Sequence, residues 1–314
     1  MHLLFIRKQL ENSGLLRMGA DRPVLLYTLV SGILFGIFFG LMGLGLNFIF
    51  GVMKIVNLAH GDFVMLGAFG VYLGQTIWGV NPIISLLIEF VVFILIGIPI
   101  YYALVPRLLK SRDPEMLSLI LFFGFSQTIE ALATMAFGNN PETIDATLLG
   151  KYPFHLFGQS FQFAWLVVVL VSVAAMVFMY VYLYHTRIGI ATRAVMGSRE
   201  EAQSSGIHVH RVSALAFGIG LGLAAVAGGM SPFMLGGIFP TMGVDLTAMS
   251  FAIIVIGSLG NPLGTILGGL VYGISLMLMQ TYLPSWSSMV PYLLLIIILL
   301  VRPSGLLGRR VRHA

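Results

Sequence analysis

No cysteine occurs among the 314 residues, which excludes a disulfide framework and a thiolate metal site; metal chemistry would fall on seven scattered histidines. Charge is scarce as well. Asp, Glu, Lys and Arg together make up 9% of the chain, against about 25% in soluble domains. No G-x-x-x-x-G-K-[ST] loop is present, so the chain does not bind ATP in that manner. Nor do a nucleophile, a base and an orienting group gather at a recognisable spacing, which argues against an enzyme and leaves the chain without a cofactor of its own. What is abundant is apolar surface, at 58% hydrophobic residues. A globule cannot hide that much, so the bilayer must solvate most of it. Backbone amides in hydrocarbon need internal partners, and long apolar runs rather than ten-residue alternations select helices over a barrel. The expected fold is all-α: a single transmembrane domain over 1–314 with about 8 to 10 spans, some of them discontinuous.

Apolar runs long enough for a core of about 30 Å lie near 24–50, 63–80, 82–105, 116–137, 161–184, 212–235, 246–282 and 286–301. The seventh has room for two helices, with a break at the GNPLG of 260–264. The net charge of +5 points to topology rather than nucleic acid, because the basic residues sit between apolar runs and at the two ends. Arg187, Arg193, Arg199 and Arg211 put the loop near 186–211 in the cytoplasm, and Arg302, Arg309, Arg310 and Arg312 put the C-terminal tail there too. Counting back, the loop with Arg107, Lys110 and Arg112 is inside and 138–160 is outside. The same count places the start of the chain outside, whereas Arg7, Lys8, Arg17 and Arg22 favour a retained cytoplasmic lead-in. A re-entrant or discontinuous piece around 47–62 would reconcile the two; a misplaced boundary is the alternative.

Glycine repeats every fourth residue at Gly32, Gly36 and Gly40, at Gly260, Gly264 and Gly268, and at Gly218 and Gly222. Such stripes let helices approach closely where lipid provides no hydrophobic drive. A weak internal similarity relates the segment from Asn57 to the segment from Ser258, with Leu58, Leu66 and Gly67 matching Leu259, Leu267 and Gly268. Each begins as a polar interruption and continues as a small-residue helix, a pairing that in transporters marks the substrate path.

Charges within spans are few, and each costs about 2.5 to 3.5 kcal/mol at the bilayer centre. Asn57, His60, Gly61 and Asp62 form the most polar cluster inside an apolar stretch. They read either as a wall of a translocation path or as a clamp on an unwound segment, with Asp62 capping the following helix. Glu89 and Glu130 read as relay groups or as inward glutamates bonded to neighbouring helices. Asp245 reads as an N-cap.

Two stretches carry a family resemblance. LNFIFGVMKIVNLAHGDFVMLGAF at 46–69 and TRIGIATRAVMGSREEAQSSGIHVHRVSALAFGIGLGLAAVAGG at 186–229 closely resemble the LivH-type permeases of branched-chain amino acid ABC importers. The first looks like that family's INFAHGEFYMLGAY signature, with Leu58 and Asp62 where Phe and Glu are common. The likeness runs on through SLGNPLGTILGGLVYG to VRPSGLLG at 301–308. The family's E-A-A-x-x-x-G coupling motif is kept as Glu201, Ala202 and Gly206, with Gln203 in place of the second alanine. The resemblance implies a cytoplasmic helix from after Thr186 to Gly206 that seats in a groove of an ATPase, its small alanines allowing close docking and Arg199 and Glu200 pairing with the partner's rim. It also implies a second related permease subunit, two cytoplasmic ATPases carrying ATP and Mg, a periplasmic solute-binding protein, and a place in the bacterial inner membrane. Urea or short amides are alternative cargoes within the same family, and an ion-coupled secondary transporter is the rival from another class.

Overall fold

The computed structural model describes residues 22–308. The lead-in of 1–21 and the last arginines, Arg309, Arg310 and Arg312, lie outside the described residues. Among the described residues are eleven α-helices: α1 (Arg22–Met53), α2 (His60–Trp78), α3 (Pro82–Leu108), α4 (Pro114–Phe137), α5 (Phe163–His185), α6 (Arg187–Gly197), α7 (Arg199–Ser204), α8 (Val209–Leu235), α9 (Met242–Gly257), α10 (Pro262–Tyr282) and α11 (Val290–Val301). A two-stranded antiparallel hairpin, β1 (Phe154–Leu156) and β2 (Gln159–Phe161), decorates the loop between α4 and α5. In that loop the Asp145 carboxylate accepts from the Thr147 amide at 2.9 Å, and this holds its pKa below the ordinary value.

Among the described residues, seven helices are long and apolar enough to cross a membrane: α1, α3, α4, α5, α8, α10, and α11 with the 3-10 turn before it. α2 falls short because its first turn is polar, and α9 because 16 residues rise about 24 Å, less than the hydrocarbon core. The expected break in the seventh run is present, with α9 ending at Gly257 and α10 starting at Pro262.

α8 is Gly- and Ala-rich and buried on all sides, whereas α3, α4, α5 and α11 show Leu, Ile, Val and Phe on their outer faces. The glycines and alanines of α8 let helices approach closely, large side chains such as Phe38, Phe39, Phe48 and Phe217 fill the core beside them, and further large aliphatic ones face lipid. The largest interfaces are α1 with α10 and α3 with α8. At the first, a Cβ on Gly269 or Gly273 would meet the backbone of Gly32, Gly36 or Gly40 closer than 3.0 Å, so the two backbones touch. α10 uses a second stripe elsewhere: Gly264 and Gly268 press on Gly257 and Ile253 of α9.

The contacts also settle which ends lie together. The Tyr27 ring stacks on Phe161 at 5.1 Å and Thr28 Oγ1 is 3.0 Å from Thr281 Oγ1, so α1 begins on the face that carries the 138–162 loop. It ends beside α6, where a Cβ on Gly51 would strike Met196. Of the described basic residues, Lys54, Arg107, Lys110, Arg112, Arg187, Arg193, Arg199, Arg211 and Arg302 fall on the α6 face, and only Arg22 and Lys151 on the other. That bias makes the α6 face cytoplasmic. The start of α1 is thus on the outer face and parity is not broken, while the lead-in read as cytoplasmic lies outside the described residues. The discontinuity expected at 47–62 does exist but is confined to 54–59, since 47–53 continues α1 as regular helix.

Candidate functional site

Two interruptions in the helices organise the interior. The first, 54–59, opens with Lys54 at φ 56, a left-handed conformation rare outside glycine. Ile55, Asn57 and Ala59 in it are fully buried, so a non-helical backbone runs inside protein, where its polar groups are sheltered from lipid. Asn57 Oδ1 accepts from the Ala59 amide at 3.1 Å, and the His60 amide donates to Asn57 O at 3.3 Å. Thr247 of α9 braces the turn from across the bundle: its Oγ1 accepts from the Gly61 amide at 2.9 Å and lies 3.1 Å from the Leu58 carbonyl. A Cβ on Gly61 would overlap the backbone of Gly243 and Thr247, so only glycine permits this approach.

The sequence-predicted polar residues meet here. His60 is fully buried, with Nε2 3.0 Å from the Met42 carbonyl of α1, and Nδ1 has no partner. Asn57 Nδ2 and both carboxylate oxygens of Asp62 are likewise buried without partners. Asp62 does not cap α2: the N-cap position is Ala59, and it makes no side-chain capping bond. Instead Asp62 faces Ser126 and, farther off, Glu130 on α4. Glu130 is half-buried one helical turn from Ser126, so it joins the rim of this cluster. Glu89 lies elsewhere, 8% exposed, with its carboxyl in a slot between Gly70 of α2 and Gly229 of α8.

The second interruption, 258–261, also carries a non-glycine residue at positive φ, Ser258 at 128°. One residue that sequence reasoning passed over holds it. Asn47, fully buried in α1, donates from Nδ2 to the carbonyls of Ser258 at 3.1 Å and Asn261 at 2.9 Å, and accepts from the Gly260 amide at 2.5 Å. A lone carboxamide within an apolar span was the available signal. The tail completes this end: Leu306 and Leu307 amides donate to Ile256 and Gly257 carbonyls at 2.8 and 3.2 Å, filling acceptors that the end of α9 leaves open.

On the cytoplasmic face the expected single helix from Thr186 to Gly206 is two. Thr186 caps α6 through the Gly189 amide at 2.9 Å, and Ser198, extended at φ −152, ends it and caps α7 through the Glu201 amide at 3.3 Å. Gly206, at φ +83, closes α7 with paired bonds, Ile207 N to Ala202 O and Gly206 N to Gln203 O, both 3.0 Å. Ala202 is 3% exposed and turned inward, so it anchors α7 to its own chain rather than offering a close-docking surface. Glu200, Glu201, Gln203 and Ser204 are the outward side chains, while Arg199 is half-buried with one guanidinium nitrogen unpartnered. Beside α7 a cavity of about 820 Å³ reaches the end of α3, with Glu200 and Gln203 as well as Lys110, Arg199, His208, His210 and Arg211 in its lining. No group of three His, Cys, Asp or Glu able to hold a metal occurs among the described residues.

A polytopic helical bundle with a buried polar interruption in its core and a capped helix pair on its cytoplasmic face defines a multi-pass membrane permease of the transport class. Residues 28–299 match the family described as branched-chain amino acid transport system, permease component, and the chain belongs to it. Among its relatives, the high-affinity branched-chain amino acid transport system permease protein LivH of Salmonella typhimurium is 26% identical over 297 residues, covering 90% of this chain and 96% of that one. A probable LivH of Methanocaldococcus jannaschii is 29% identical over 283 residues, covering 85% and 88%. BraD of Pseudomonas aeruginosa, also a branched-chain amino acid permease protein, is 26% identical over 295 residues, covering 90% and 96%. No solved structure matches. The family is one of transport components of ABC importers rather than of enzymes.

Proposed function

We propose that this chain moves branched-chain or other apolar amino acids inward, taking them from a periplasmic binding protein and opening under the drive of two separate ATPase subunits that carry ATP and Mg. A second related permease completes the membrane unit. The observation that carries the path is the buried cluster at the first interruption: Asn57, His60 and Asp62 hold polar atoms without partners inside the bundle, with Gly61 bringing α9 close and Glu130 at the rim. Unpartnered groups in hydrocarbon-rich surroundings are costly to keep. Their cost is relieved when a hydrated or zwitterionic solute passes. The coupling element is α7, which presents Glu200 and Glu201 outward, with Arg199 behind them, Ala202 as its anchor and Gly206 as its stop.

The test uses single cysteines at 57, 60 and 62, introduced into a chain that has none. In the assembled transporter their reaction with a small water-soluble maleimide is expected to change between nucleotide-free and ATP-trapped states. Uniform inertness in both states, with uptake intact, would remove these residues from the path.

A further inference from the structure

On the outer face a second cavity, about 220 Å³, opens between the start of α9, the end of α10 and the start of α11. Its volume is the share of about seven water molecules, room for a solute of amino-acid size. Asp245 lines it, and no lysine or arginine does. Asp245 is not the N-cap that sequence alone suggests, because Thr241 holds that position; the carboxylate sits a turn further on, exposed toward the cavity. Tyr272, 0% exposed, is a lining residue as well, and its buried hydroxyl has no hydrogen-bond partner. The Tyr272 ring is held edge-on against Phe39 at 4.8 Å and 87°. Tyr292 and Gln280 add polar groups, while Met249 and Leu276 form an apolar wall.

We propose that this cavity is an outer docking site for an α-amino acid with an aliphatic side chain, a proposal that rests on the amino-acid cargo argued above. Asp245 accepts from the ammonium group, the Tyr272 hydroxyl donates to the carboxylate, and Met249 and Leu276 receive the alkyl chain. The site is distinct from the interior cluster at 57–62. It lies on the face from which a binding protein would release solute, and it holds that solute before entry.

Purified full-length chain in nanodiscs of phosphatidylglycerol, a lipid without an amine, would be titrated with leucine, with 3-methylbutylamine, which lacks the carboxylate, and with 4-methylpentanoate, which lacks the ammonium. Leucine is expected to bind best, the amine more weakly, and the acid not at all. Asp245→Asn should weaken leucine and amine alike by at least about tenfold, the loss of a charge-assisted hydrogen bond. Tyr272→Phe should weaken leucine by about fivefold and leave the amine unchanged, a selectivity that a merely structural tyrosine would not produce. Binding of the acid equal to that of the amine overturns the proposal, as does leucine binding untouched by Asp245→Asn. Failure of the two readings is separable. Amino-acid uptake by the assembled transporter that Asp245→Asn leaves unaltered refutes this site alone, whereas Asp245-dependent binding in a transporter that moves no amino acid supports the site and refutes the cargo.

Discussion

Asp62, His60 and Glu89 are each enclosed by protein with at least one polar atom unpaired, a cost of about 1–3 kcal/mol or more apiece. Selection for stability alone would replace them with apolar side chains. The surroundings of Glu89 are shaped to keep it. A Cβ on Gly70 would stand 2.5 Å from Glu89 Oε1, and one on Gly229 would stand 3.4 Å from Oε2, so two glycines on different helices leave space for one carboxyl group. Gly70→Ala is therefore expected to destabilise the bundle by about 1–3 kcal/mol through overpacking. The same change made on Glu89→Ala should cost at least about 1 kcal/mol less, because the clashing atom is gone. Reversible unfolding of the four variants in mixed SDS micelles measures both values. Equal costs in the two backgrounds would mean that Glu89 and Gly70 do not share a slot.

At the scale of elements, α7 is six residues long and cannot be stable alone. It depends on Ser198 at one end, Gly206 at the other and buried Ala202 between. Gly206→Val forces a β-branched residue to φ +83, which costs on the order of 1–2 kcal/mol. A Cβ there meets nothing within 4 Å, so the damage is confined to the turn and the bundle should assemble and melt as before. ATP hydrolysis by the assembled transporter is expected to persist while uptake falls about five- to thirtyfold, the range to which that strain corresponds; normal uptake would detach α7 from coupling. Much of the α6–α7 pair is legible from residue types: Thr186 and Gly206 mark its outer ends by capping chemistry that is local. The split at Ser198 is harder to see, because Gly197–Ser198 lies within a run that is otherwise helical by composition. Both interruptions of the core are legible in the same way, from Asn, Gly and Pro in apolar surroundings. Their braces are not. Thr247 and Asn47 act across 186 and 211 residues of sequence respectively, and nothing local to either names its partner.

Over the whole molecule, the number and order of helices follow from hydropathy, but the orientation of the first helix depends on which charges are counted. Weighting Arg7, Lys8, Arg17 and Arg22 places it inside; the nine basic residues gathered on the α6 face, with contacts that tie α1 to the opposite one, place its start outside. Charge bias acts on the bundle as a sum over loops, and a strongly basic cytoplasmic face can outweigh a basic start. The antiparallel packing of α1 on α10, backbone against backbone through Gly36, Gly269 and Gly273, then leaves no freedom to invert one helix alone. Single cysteines make this testable. Val24→Cys, at a position 43% exposed, and Tyr152→Cys, at one 82% exposed, should both react with a membrane-impermeant maleimide added to cells whose outer barrier has been opened. Gln203→Cys should react only after the inner membrane is permeabilised. If Val24→Cys instead labels together with Gln203→Cys, the first helix does not run from the hairpin face to the coupling face, and the stacking of Tyr27 on Phe161 that defines its direction is wrong.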